Sequence, residues 1–217
     1  MPLPVAPLPT DLSDVASLKA YITPAAASAD DPLFQQLVSG VSLELADLAS
    51  EGHGRRRFNA QTYTEARDGR GRERLILFNR PLVSVTSVSI DGQLTPQAVG
   101  PLGGGWLLED AELGIIALRW RGTFPLGVSR VSVVYTAGYN TPGMYALGQT
   151  AAGADDLPFG WRNAALIWAG HMYEVRNHVG ESRLALGGGS VAYTSTDVPS
   201  DVRRWLAASK AVAPIYL

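Results

Sequence analysis

At 217 residues the chain is long enough to bury one substantial core, or one core with a small satellite, so one or two domains are expected without disulfides or metals to staple them. Apolar residues make up 46% and charged residues 18%, which excludes the disordered class, and the absence of Cys excludes a disulfide framework, a thiolate metal site and a cysteine nucleophile. A net charge of -2 gives the chain as a whole no electrostatic case for nucleic acid, and no stretch reaches the roughly 18 apolar residues that span a bilayer, so no membrane partner is expected.

In chain order, residues 1–10 alternate Pro with small apolar residues and read as an extended arm with no export signal. Asp11 is placed to cap a short amphipathic helix through Leu12, Val15, Leu18 and Ile22, stopped by Pro24. Asp31 and Pro32 open a longer helix whose stripe is Leu33, Leu37, Val41, Leu45 and Leu48 beside Phe34 and Val38, ending near Gly52. A basic stretch, Arg55 to Arg57, leads into strand patterns at 62–66, 74–78 and 81–90, where Leu82, Val83, Val85, Val88 and Ile90 are set against Ser and Thr. Asp91-Gly92 marks a turn, and 106–108, 114–120 and 128–135 are further strands. Residues 138–154 read as a loop. Asp155 or Asp156 then caps a helix with Leu157, Trp161, Ala164, Ala165, Trp168, Met172 and Val175 on its apolar side. A glycine-rich separator, Gly187 to Ser190, precedes a last helix from Ser200 with Val202, Trp205 and Leu206, and the chain ends in an apolar tail.

Two helices, a block of strands and two helices predict an α+β fold. The flanking pairs (11–57 and 139–217) form one helical bundle, and the strands (58–138) form a central antiparallel insertion after the arm at 1–10.

Charge is segregated: residues 1–54 hold Lys19 against seven acids, and residues 55–80 hold eight Arg against three acids. Arg55, Arg56, Arg57, Arg67, Arg70, Arg72 and Arg74 are therefore the charged group with a functional meaning, as a DNA channel or a subunit interface, set against the plainer reading of a solvated face. His171, Glu174 and His178 share a helix face, yet their spacing is not that of a zinc motif, and a polar face is favoured. No Ser sits in a nucleophile elbow and no glycine cluster is followed by a nucleotide-loop Lys, so no catalytic, cofactor or metal site is expected. A hydrolase would need His53, His171 or His178 beside a Ser or carboxylate. A carbohydrate-binding or tail-associated module would present Trp106, Trp120 and Tyr135 as an exposed platform.

The text at both ends resembles one family. Leu18-Lys-Ala-Tyr-Ile22, Asp30-Asp-Pro-Leu-Phe34 and the helix to Ala49, then Asp156-Leu-Pro158 through Trp168 to His171-Met-Tyr-Glu-Val-Arg176, Glu181-Ser182, Val198-Pro-Ser-Asp-Val-Arg203 and Trp205-Leu206, are similar to the helical head-to-tail connector, or adaptor, proteins of tailed phages. The strand block is a departure from the shortest members and resembles members carrying a β insertion. Assembly in the host cytoplasm is the default for such a chain, and the resemblance implies a structural, non-enzymatic virion protein. It implies a ring, commonly a dodecamer, bound under the portal protein, retaining genomic DNA and meeting the tail or a stopper protein. It also makes Trp205, Ile215, Tyr216 and Leu217 candidate portal contacts.

Overall fold

The computed structural model describes residues 6–22, 30–49, 57–100, 103–119, 122–176, 183–186, 189–192 and 198–211. Two units divide the chain, Met1–Arg56 with Thr141–Gln149 and Leu157–Leu217, and Arg57–Asn140 with Thr150–Asp156. The fold is α+β, with the strands of the second unit lying in sequence between the first and last helices.

The first unit holds helices α1 (Val15–Ile22), α2 (Asp31–Ala49), α3 (Pro142–Leu147), α4 (Phe159–Arg176) and α5 (Ser200–Ala211). α1 begins later than the Asp11 cap predicts because Asp14 takes that role, its Oδ1 accepting from the Ser17 backbone N–H at 2.7 Å. Asp11 is instead buried against α2, its Oδ2 accepting from the Leu8 backbone N–H at 2.8 Å and from Gln35 Nε2 at 2.6 Å. The buried stripe of α2 differs from the predicted one. Phe34, Val38, Val41 and Leu45 are buried with Gln35, Ser39 and Ser42 beside them, and Leu48 is left exposed.

α1, α2 and α4 pack on one another and α5 packs on α4. Ala164, Ala165, Ala169 and Gly170 are buried on α4 beside Trp168 and Val175, and a Cβ on Gly170 would meet the Tyr21 ring at 2.8 Å. α4 starts after Pro158, whose carbonyl accepts from the Trp161 N–H at 3.0 Å, and not at the predicted Asp155 or Asp156 cap. Asp155 and Asp156 pair with Asn140 in the second unit. α3 occupies part of the predicted loop: Thr141 caps it, Pro142 follows, and Gly148 ends it in the left-handed conformation at φ 65. Strands β8 (Arg183–Leu186) and β9 (Gly189–Ala192) pair as a hairpin where a separator was expected.

The second unit holds β1 (Gln61–Gly69), β2 (Arg74–Ile76), β3 (Leu82–Ile90), β4 (Gln93–Thr95), β5 (Trp106–Asp110), β6 (Ile115–Leu118) and β7 (Gly127–Ala137). They form an antiparallel sheet in the order β1-β7-β3-β4 and a second in the order β2-β6-β5. β7 alternates without interruption, so Val131, Val133, Tyr135 and Ala137 all reach zero exposure on one face, where Val88, Trp106, Ile116 and Phe124 join them. Each such aliphatic side chain contributes about 1.5–3 kcal/mol. Two bulges in β3 leave Val83 and Thr86 without ladder partners on β7, while Leu82, Val85 and Val88 stay opposite Ala137, Tyr135 and Val133. Among the described residues no helix is long and apolar enough to cross a membrane.

Candidate assembly surface

The basic stretch separates on folding into side chains with different duties. Arg55 and Arg56 lie outside the described residues. Arg57 is exposed, its Nη1 donating to Gln61 Oε1 at 3.4 Å. Arg67 is turned onto its own sheet: its Nη2 donates to the Ile76 carbonyl at 2.5 Å, its Nε lies 2.9 Å from Glu65 Oε1, and its guanidinium stacks 3.7 Å from the Phe78 ring centroid. Glu65 also accepts from the Phe78 N–H and from the Tyr135 hydroxyl. Burial, with the Glu65 hydrogen bond adding to it, pushes the Tyr135 hydroxyl far up, so it stays a proton donor. Arg67 therefore belongs to the packing of the β unit and is not free to line a channel.

Arg74 is spent differently. It makes a bidentate pair with Glu109, Nε to Oε2 at 2.7 Å and Nη2 to Oε1 at 2.5 Å. The hydrogen bond from Arg74 holds the Glu109 carboxyl below its ordinary range and raises Arg74 in turn. Arg70 and Arg72 are exposed, and among the described residues neither guanidinium has a partner. Among the described arginines of the group, these two keep an uncommitted charge on a structured loop.

That loop stands beside another that the sequence reading passed over. Gly71 donates its N–H to the Phe124 carbonyl at 2.8 Å, and a Cβ on Gly71 would sit 3.4 Å from Leu126 Cγ. Phe124 is buried, but Leu126 and Val128, two and four residues on, are 73% and 82% exposed. Gly69 must be glycine here, because a Cβ would fall 1.6 Å from the Pro125 carbonyl oxygen. The only signal in the sequence was Leu126-Gly-Val128 at the mouth of a strand, two aliphatic residues around a glycine.

No family model and no curated protein matches the chain. Likenesses among solved structures include the following. The chain is similar to the neck of an empty gene transfer agent (GTA) particle computed with C6 symmetry, at 17% identity and a TM-score of 0.49 over 94% of this chain and 93% of that one. It is similar to the neck of the native GTA particle computed with C12 symmetry, at 18% identity and a TM-score of 0.44 over 94% of each chain. It is also similar to a chain of the native GTA virion, at 17% identity and a TM-score of 0.46 over 94% of this chain and 93% of that one.

The remaining sequence candidates find these places. Trp205 is half-buried on α5, edge-on to Trp161 of α4 with ring centroids 4.5 Å apart, and a Cβ on Gly160 would meet it at 2.7 Å. Ile215, Tyr216 and Leu217 lie outside the described residues, as do Trp120, His53 and His178. The aromatic platform is corrected: Trp106 and Tyr135 are 4% and 0% exposed, because register turns both to the core face. His171 is half-buried and Glu174 exposed on α4, and among the described residues no three His, Cys, Asp or Glu side chains are grouped as a metal site.

Proposed function

We propose that the chain is a structural, non-enzymatic virion protein: the adaptor ring bound under the portal of a phage-like particle, joining the DNA-filled capsid to the tail and helping to retain DNA. The observation that carries this reading is that the two ends bearing the connector-like text come together as one helical unit. α1 and α2 pack on α4, and α5 packs on α4, while the strand block folds around a core of its own. In this reading Trp205 and the 215–217 tail are portal contacts, and the ring, a dodecamer by resemblance, meets the tail or a stopper protein on its other side. Arg55 to Arg57 serve as a channel lining or a subunit contact. Imaging of intact particles tests it: density for the chain at the head-to-tail junction supports the reading, and its presence anywhere else in the particle overturns it. Mass measurement with purified portal is expected to give a complex. Reversing the charge of Arg55 to Arg57 is expected to lower assembly or genome retention.

A further inference from the structure

The end of the four-stranded sheet holds its apolar residues out by construction. Gly127 sits at φ 143 and Ser129 at φ 52, a left-handed conformation that costs a non-glycine residue about 1–3 kcal/mol. Three contacts fix it. The Ser129 N–H donates to Asp68 Oδ1 at 2.7 Å, Arg130 makes a bidentate pair with Asp91 at 2.5 and 2.6 Å, and Arg130 Nη1 donates to the Leu126 carbonyl at 3.1 Å. Leu126 and Val128 are thus presented at the ordered entry to β7, with Arg70 and Arg72 flanking in sequence Gly71, whose Cβ position lies 3.4 Å from Leu126 Cγ. Preorganised aliphatic anchors rimmed by uncommitted cations suit a partner with an apolar centre and an acidic rim.

One such surface is on the chain itself. The outward face of α2 carries Leu43 and Leu48, 43% and 39% exposed, with Glu44 and Asp47 at the four-residue spacings that place all of them together. Glu44 has no ion-pair partner among the described residues.

We propose that the Leu126–Val128 loop, with Arg70 and Arg72, docks on the Leu43–Leu48 face of α2 in a second copy of this chain. Charge selects this pairing over the symmetric ones, since loop on loop sets arginine against arginine and helix on helix sets acid against acid. A contact between two different surfaces repeats head to tail and closes when its rotation permits, so this inference rests on the ring reading and gives it an interface. A loop against about two helical turns is a small contact by the standards of stable pairs, so isolated association is weak and closure supplies the avidity.

The chain lacks Cys, so introduced thiols report only designed contacts. Full-length Val128→Cys mixed with full-length Leu43→Cys, at high concentration under mild oxidation, is expected to give a mixed disulfide dimer in large excess over either variant alone. Absence of the mixed disulfide, or equal linking of each variant with itself, overturns the proposal. Arg70→Glu with Arg72→Glu is expected to weaken self-association about tenfold, Glu44→Arg with Asp47→Arg likewise, and the four together to restore most of it. Losses that persist in the fourfold variant overturn it. Unchanged self-association with loss of binding to a DNA duplex also overturns it and assigns the arginines to DNA. A ring at the head-to-tail junction without the mixed disulfide rejects this interface and leaves the adaptor reading. The mixed disulfide in a protein found elsewhere in the particle does the reverse.

Discussion

The β unit and the helical unit reach stability by different routes. The β unit centres on an apolar cluster that includes Val131, Val133, Phe124 and Ile116; its pairs Arg74–Glu109 and Arg130–Asp91 stand toward the surface, and one buried carboxylate, Glu65 beside Arg67, meets the Tyr135 hydroxyl of that cluster. The helical unit brings polar groups inside and hydrogen-bonds several of them, while Ser13 Oγ and Asp11 Oδ1 are buried without a partner among the described residues. Ser42 Oγ accepts from the buried Leu12 N–H at 2.9 Å and donates to the Val38 carbonyl at 2.7 Å, while Asp11 gathers Leu8 and Gln35. Close backbone approach adds to this, since a Cβ on Gly143 would fall 1.9 Å from the Leu8 carbonyl oxygen. The first unit is therefore the more vulnerable to lost hydrogen bonds and the second to lost volume, while both resist added atoms where backbones approach closely, at Gly143 in one and Gly69 in the other.

The sharpest test of that contrast is Phe124→Ala, expected to cost about 3–5 kcal/mol in urea denaturation because it opens a cavity in a core without polar slack. A loss under 1 kcal/mol breaks the comparison. Gly143→Ala comes next, expected to cost about 2–3 kcal/mol and to speed proteolysis within residues 6–10, since the obstructing atom is backbone. Ser42→Ala is expected to cost about 1–2 kcal/mol by stranding the Leu12 N–H, with Ser42→Thr retaining part of the bond.

The smallest effect concerns pH. Partial burial alone raises the Asp14 carboxyl, but hydrogen bonds from Ser17 and Arg162, with the Arg162 charge, outweigh it and hold the group below its ordinary value. Its contribution is present above the unfolded value of about 3.9 and is lost as pH falls through the lower folded one. Asp11 is opposite: burial pushes it up despite its hydrogen bonds, so its cost to folding is absent below about pH 4 and grows as pH rises through the folded value. Asp14→Asn is expected to remove about 0.5 kcal/mol at pH 7 and to flatten the acid limb of a stability profile.

Periodicity made the long elements legible. β7 alternates because one face is buried throughout, and α2 and α4 carry apolar spacing strong enough to survive shifts of their ends. The ends themselves shifted because Asp11, Asp155 and Asp156 were taken by tertiary partners while Asp14 and Pro158 opened the helices. α3 and the β8–β9 hairpin stand where Pro and Gly predict loop, although Thr141-Pro142 and Gly148 carry cap signals. The platform of Trp106 and Tyr135 failed for another reason: composition names aromatic residues on strands, but the pairing register decides which face they occupy. The arginines show the same limit, since Arg74 and Glu109 are 35 residues apart and spacing cannot reveal that they meet.

The bulges in β3 bear on how this strand tolerates changes of length. Val83 and Thr86 are supernumerary in the ladder, so deleting either joins residues already paired with adjacent positions on β7 and leaves Leu82, Val85 and Val88 facing the core. β7 has no such slack between Val131 and Ala137. One residue gained or lost there would turn half of a continuous buried row out to water.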